Sequence, residues 1–124
     1  MAAFGSRNQT QMKSIVPDRF EAEVLREKGP VIVLFTAGWC PFCRQFESVM
    51  IRQESDFPWP VVAVKIDDTS GSLWDRYSVD VIPTLAVFES GQLVFRVNGV
   101  LGTGLGEDDI ERLREYIRKR STKG

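Results

Sequence analysis

Short continuous apolar runs alternate with amphipathic segments along most of this 124-residue chain. VIVLF (31–35) and VVAVKI (61–66) are apolar and largely β-branched, which is typical of strands that are covered on both faces. TLAVF (84–88) and LVFRV (93–97) flank ESGQ, and a short connection containing glycine predicts an antiparallel hairpin.

Helical patterns occupy the segments before, between and after these strands. VPDRFEAEVLREKGP (16–30) places Pro17 in a first turn and ends on a Gly-Pro stop signal. Residues 41–53 carry apolar positions at helical spacing, and SGSLWDRYSV (70–79) predicts a short helix or turn. EDDIERLREYIRKR (107–120) has acids in its first turn and bases in its last, which matches the helix dipole, and its apolar stripe is Ile110, Leu113 and Ile117.

The order of these elements predicts the fold class. Strands that alternate with helices favour an α/β domain with a parallel core, and the hairpin adds an antiparallel edge. We therefore expect one domain over residues 12–120, with a central mixed sheet of four to five strands and helices on both faces. Residues 1–11 are interpreted as a disordered leader and 121–124 as a flexible tail. The glycine-rich stretch 98–106 contains GTGLG (102–106), which is interpreted as a flexible connection.

Composition and charge exclude some classes of function. Sixteen basic residues stand against 17 acidic ones, so the net charge of −1 gives no general attraction to nucleic acid or to membranes. No apolar run approaches the roughly 18 residues of a membrane span, and the first residues lack the pattern of a signal peptide. We expect a monomeric cytoplasmic protein, in a compartment where a close cysteine pair is more often catalytic or metal-binding than structural.

Both cysteines lie in FTAGWCPFCRQF (35–46), directly after the first strand. If Cys40 caps the following helix, Pro41 falls at the first helical position, where its missing N–H costs nothing. Cys43 then lies one turn along, within reach of a disulfide. The unpaired N–H groups at a helix start favour the thiolate form of Cys40, whereas Cys43 is expected to be less exposed.

Other uses of two thiols are weaker. A zinc or iron–sulfur site normally needs four ligands, and the chain has two cysteines and no histidine, so we expect no metal. A cluster bridged between two chains remains an alternative. A structural disulfide that closes so short a loop would add little stability.

Two landmarks make the chain resemble the thioredoxin family over residues 14–120. VIVLFTAGWCPFC resembles the strand that leads into the family's Trp-Cys-x-x-Cys motif, and YSVDVIPTLAVFESGQLV resembles its Ile-Pro-Thr segment and hairpin. The resemblance implies that Cys40 is the nucleophile, that Cys43 is the resolving thiol and that the bond before Pro83 is cis. It also implies a substrate groove lined by Trp39, Phe42, Ile82, Pro83 and Gly99.

The chain departs from the family at positions that handle protons. Thioredoxins usually carry a buried acid at the position of Leu34 and often a lysine near that of Ala63, and both are apolar here. Water or Glu47 would then have to accept the proton of Cys43, which should itself be less acidic. Pro41-Phe42 replaces the usual Gly-Pro, which leaves the redox direction open.

Three functions follow from these residues. The first is a reductase of protein disulfides that binds no cofactor and is recharged by an external reductant, which the resemblance implies to be NADPH through a thioredoxin reductase. The second is a disulfide oxidase or isomerase with a more oxidising pair. The third is a glutaredoxin-like or non-enzymatic role, as a binding module or a dimeric iron–sulfur scaffold.

Overall fold

The apolar runs form the centre of a five-stranded mixed sheet in the computed structural model, which describes residues 12–123. The strand order is β1-β3-β2-β4-β5. β1 and β2 run parallel to β3, whereas β4 is antiparallel to both β2 and β5. The strands are β1 (Lys13–Ile15), β2 (Pro30–Thr36), β3 (Val61–Lys65), β4 (Thr84–Glu89) and β5 (Gln92–Val97).

Helices cover both faces of this sheet, so the predicted α/β architecture is confirmed. The α-helices are α1 (Pro41–Gln53), α2 (Ser72–Arg76) and α3 (Glu107–Lys123). The predicted helix at 16–30 is irregular: a 3₁₀ turn at Pro17–Arg19 is followed by a π-helical segment at Glu21–Leu25. A further 3₁₀ turn, Glu54–Asp56, follows α1.

Two boundaries differ from the prediction. β1 was not predicted, because only one of its three residues, Ile15, is buried and so short a strand has no apolar pattern. α3 runs to Lys123, beyond the predicted domain end at residue 120. The predicted leader at 1–11 and Gly124 lie outside the described residues.

The buried strand β2 separates two hydrophobic cores. Val33 and Phe35 point to the face that holds Phe20, whose ring packs edge-on against Phe88 with centroids 5.4 Å apart. Ile32, which alternates with them, belongs to the other face. That face is completed by α1 and α3 through Phe46, Met50, Ile110, Leu113 and Ile117. The carboxyl end of β2, between the cores, leads directly into the cysteine segment.

Candidate active site

The sulfur of Cys40 lies at the start of α1, as predicted. The Cys40 carbonyl accepts a hydrogen bond from the Arg44 N–H at 3.2 Å, which is the first bond of the helix. Its Sγ accepts the Cys43 N–H, also at 3.2 Å, so the sulfur takes the place of a capping oxygen. Pro41 is the first helical residue and loses no hydrogen bond there. The local sequence therefore places one thiol against the positive end of a 13-residue helix.

The second thiol is enclosed by protein. Cys43 is fully buried, whereas Cys40 keeps 5% of its surface exposed. Burial raises the pKa of the Cys43 thiol to about 12, and its hydrogen bond with Cys40 acts in the same direction. Hydrogen bonds from the Thr36 hydroxyl and the Ala37 backbone oppose part of this rise in the pKa. Both cysteines are free thiols, and the expectation that Cys43 is the less exposed one is confirmed.

This pKa has a consequence for stability. A thiol whose pKa is raised by folding, from 9.0 to about 12, stabilises the protein fully below pH 9 and loses that contribution as the pH rises through 12. We expect the free energy of unfolding of the reduced protein to fall over this range. Denaturant titrations at several pH values should show a smaller fall for the oxidised protein, in which Cys43 has no proton to lose. Parallel curves for the two forms would contradict the assignment.

The segment before β4 faces the cysteines from the other side. The Ile82–Pro83 peptide bond is cis, as the resemblance implied. The Cys40 thiol donates a weak hydrogen bond to the Ile82 carbonyl, with 3.8 Å between sulfur and oxygen. The Ile82 backbone thus lies next to the reacting sulfur, and the Ile82 residue is buried.

A turn after β5 closes this side of the site. A Cβ atom at Gly99 would lie 2.3 Å from the Pro83 carbonyl oxygen, so only glycine fits there. Val100 and Gly104 exchange backbone hydrogen bonds of 3.0 and 2.7 Å, and Gly104 has a φ of +72° and lies against the ring of Phe42. The first part of the predicted flexible connection, residues 102–104, thus belongs to a hydrogen-bonded turn that packs on the site.

Trp39 lies beside Cys40 with 55% of its surface exposed. Its Nε1 donates to the Asp67 carbonyl at 2.9 Å, and the Gly38 N–H donates to the Asp67 carboxylate at 3.0 Å. Arg44 also holds this loop, because its guanidinium donates to the Gly38 carbonyl at 2.9 Å. Neither anchoring role was predicted, because Asp67 gives no signal beyond following β3 and Arg44 gives none beyond its place on α1.

Apolar side chains are exposed around the thiols. Leu101 is 85% exposed and Val100 61% exposed at the tip of the turn that packs on Phe42. Large apolar groups in water next to a reactive sulfur are typical of a surface that binds other proteins. Within residues 12–123, no group of three or more side chains could hold a metal ion, and no helix there is long and apolar enough to cross a membrane.

Comparison with known proteins agrees with this geometry. The family model described as Thioredoxin matches residues 11–112, most of the chain. The chain belongs to the thioredoxin family. It is 36% identical over 89 residues to a thioredoxin of Streptomyces clavuligerus, covering 71% of this chain and 82% of that protein. It is also 31% identical over 119 residues to human protein disulfide-isomerase A4, covering 94% of this chain but 18% of that longer protein.

Solved structures show the same fold. Thioredoxin F from spinach chloroplast superposes with a TM-score of 0.73 at 15% identity, covering 89% of this chain and 88% of that one. A mutant thioredoxin from Halobacterium salinarum gives a TM-score of 0.68 at 24% identity, covering 85% and 88%. The family match and the sequence relatives, together with the cysteine pair, show that this protein is a thiol–disulfide oxidoreductase.

Proposed function

We propose that this thioredoxin-family protein reduces disulfide bonds in other proteins. The Cys40 thiolate attacks one sulfur of the substrate disulfide, whose S–S bond breaks as the Cys40–substrate bond forms. The released substrate thiolate takes a proton from water. Cys43 then loses its proton and attacks the Cys40 sulfur, which frees the second substrate thiol and leaves a Cys40–Cys43 disulfide. Two electrons thus pass to the substrate.

One observation carries this proposal: the two thiols share a helix turn but have opposite environments. Cys40 accepts an N–H bond at the helix start and keeps some exposure, whereas Cys43 is enclosed and protonated. An attacking thiol must meet a substrate, and a resolving thiol should react only after Cys40 has become part of a mixed disulfide. The asymmetry matches that order of events.

The groove beside Cys40 is proposed to bind an extended substrate segment. Its walls are Trp39, Phe42 and the Ile82–Pro83 backbone, and Gly99 leaves room on the far side. Apolar contact at these walls would hold the substrate, while backbone groups next to Pro83 would pair with its main chain.

We expect the Trp39→Ala variant to lose about 10-fold in kcat/KM for a protein disulfide, because the largest exposed apolar wall is removed. Reduction of a small aromatic disulfide, which needs less of the groove, should slow much less. Ile51→Ala is a matched control, since Ile51 lies on α1 beyond the groove with a similar exposure of 52%. Equal losses in the two variants would argue against this groove.

The oxidised protein must be recharged before it can act again. A thioredoxin reductase that draws on NADPH is the partner that the family implies, and a reducing compartment such as the cytosol suits this direction. A purified thioredoxin reductase with NADPH should restore both thiols, as measured by absorbance loss at the nicotinamide band. If thioredoxin reductases fail to reduce the oxidised protein but glutathione reduces it, the proposed reductase partner is wrong and glutathione is the reductant.

Similarity to protein disulfide-isomerase A4 supports a second candidate, an oxidase or isomerase. The Pro41-Phe42 pair between the thiols fits this alternative too, since it differs from the Gly-Pro of typical thioredoxins. Refolding of a scrambled, disulfide-containing protein separates the two: a reductase only reduces it, whereas an isomerase restores its activity. A dimeric iron–sulfur scaffold is disfavoured by the complete burial of Cys43, and iron analysis of anaerobically purified protein tests it.

A further inference from the structure

A polar cluster lies at the carboxyl ends of β2 and β3 and includes one residue of α1. Thr36 and Lys65 are opposite residues in the parallel pair β2–β3, and Glu47 lies one turn beyond Cys43 on α1. Thr36 is fully buried, and the side chains of Glu47 and Lys65 are 16% and 31% exposed. The cluster therefore reaches from the buried thiol toward the surface.

Glu47 is held by both neighbours. The Thr36 hydroxyl donates to Glu47 Oε2 at 2.5 Å, and Lys65 Nζ donates to Oε1 and Oε2 at 3.2 and 3.1 Å. These three hydrogen bonds meet at the Glu47 carboxylate and hold its Oε2 atom against the buried Thr36 hydroxyl. Charge-assisted bonds of this kind are short and position groups closely.

The Thr36 hydroxyl also lies beside the Cys43 sulfur, where a hydrogen bond from it favours the thiolate and so lowers the pKa of Cys43. A hydroxyl has one proton and two lone pairs: while the Thr36 proton is donated to Glu47, a lone pair is left to accept the Cys43 proton, and after the transfer Thr36 donates to the Cys43 thiolate. A continuous path thus joins the Cys43 sulfur to an acid. Leu34 and Ala63, where the family usually has an acid and a lysine, are fully buried and apolar and offer no such path.

We propose that Thr36 and Glu47 form a proton relay that accepts the proton of Cys43 when this thiol attacks the mixed disulfide. The Cys43 proton moves to the Thr36 oxygen while the Thr36 proton moves to Glu47, so threonine ends unchanged and Glu47 gains one proton. Cys43 forms its bond to Cys40, and the Cys40–substrate S–S bond breaks. This inference rests on the resolving role of Cys43 proposed above.

The need for such a relay follows from the burial of Cys43. With a pKa of about 12, roughly one molecule in 10⁵ would carry a Cys43 thiolate at pH 7 without help. A positioned base commonly gives a rate advantage of about 10²–10⁴-fold. The relay supplies that base at Cys43, which is fully buried and so has no direct contact with solvent.

Stopped-flow reaction of the reduced protein with excess dithiobis-nitrobenzoate separates the two exchange steps. Attack by Cys40 releases a first coloured thiolate, and resolution by Cys43 releases a second. We expect Glu47→Gln and the near-isosteric Thr36→Val to slow the second phase by roughly 100-fold and to leave the first unchanged. Thr36→Ser, which keeps the hydroxyl, should react at close to the wild-type rate.

The pH dependence distinguishes a relay from a loss of packing. Cys40, directly before α1, is a titratable group that interacts with Cys43 itself, and Glu47 of α1 and Lys65 of β3 lie behind the uncharged Thr36 of β2. Because hydroxide can replace a missing base, the defect of Glu47→Gln should shrink as the pH rises from about 7 to about 10. Glu89→Gln is the control, because Glu89 forms an ion pair with Arg120 and lies at the end of β4 opposite to Pro83.

Each outcome has a separate meaning. An unchanged second phase in Glu47→Gln or Thr36→Val would overturn the relay, as would equal slowing of both phases or a defect that does not vary with pH. A wild-type product that carries two reagent groups in place of a Cys40–Cys43 disulfide, as read by mass spectrometry, would instead refute the resolving role of Cys43. If Glu47→Gln unfolds, Thr36→Val decides the question, since replacing a buried hydroxyl by a methyl group preserves the shape of the core.

Discussion

We expect the Cys40→Ser variant to lose disulfide reduction altogether, and the Cys43→Ser variant to become covalently joined to its substrates. A serine hydroxyl at position 40 is not ionised near neutral pH, so no sulfur reaches the substrate from the start of α1. In Cys43→Ser the first exchange still occurs, but no second thiol can release the mixed disulfide. Turbidity of reduced insulin measures the first effect, and mass spectrometry measures the second.

The order of the two thiols is the point under test. Loss of turnover should exceed about 10³-fold for Cys40→Ser, and addition of dithiothreitol should release the substrate held by Cys43→Ser. A mixed disulfide trapped by Cys40→Ser in place of Cys43→Ser would reverse the assignment. Circular dichroism on both variants shows whether the fold is kept. We expect that it is, because each substitution replaces only one sulfur atom by an oxygen atom.

The second large effect is expected at Gly99. An added methyl group would lie 2.3 Å from the Pro83 carbonyl oxygen, well inside van der Waals contact, and the obstacle is backbone rather than a movable side chain. We expect Gly99→Ala to lower the free energy of unfolding by about 3 kcal/mol, at the upper end for overpacking, and kcat/KM for protein disulfides by about 10-fold or more. Denaturant unfolding and the insulin assay measure the two quantities.

Gly106→Ala is the matched control for this variant. Nothing lies within 4 Å of a Cβ atom at Gly106, which belongs to the same glycine-rich stretch. It should change the free energy of unfolding by less than about 1 kcal/mol. If Gly99→Ala were as stable and active as this control, Gly99 would not be the close-contact wall of the groove.

The sheet and the last helix could be predicted because their patterns are strong and local. β2 is apolar over residues 31–35 because Val33 and Ile32 each face a separate core. α3 buries the predicted stripe and carries Glu107, Asp108 and Asp109 in its first turn. The spacing of apolar residues and the charges at the helix ends depend only on neighbours in sequence, and they were sufficient to predict both elements.

The elements that were missed depend on contacts distant in sequence. β1 exists because Lys13–Ile15 pair with β3, and three residues carry no sequence pattern that predicts this pairing. Helical spacing at 16–30 was visible, but its π-helical geometry was not, since that reflects how Phe20 and Val24 fit beneath the sheet.

The candidate site shows the same division. The positions of Cys40 and Pro41 at the helix start could be predicted from local rules, and the cis bond before Pro83 from the resemblance. Glu47 could be named as a possible proton acceptor from its helical spacing to Cys43. Thr36 and Lys65 could not, because their link to Glu47 arises only when β2, β3 and α1 are brought together.

The reduction potential of the Cys40–Cys43 pair tests the account most directly. The protein is equilibrated in buffers of known dithiothreitol or glutathione potential, and the fraction of dithiol is read by alkylation and mass spectrometry. We predict a fully reversible two-electron transition near −270 mV, the thioredoxin value, with Cys40 and Cys43 joined within one chain. A midpoint near −120 mV, or no disulfide between these two residues at any potential, would contradict it.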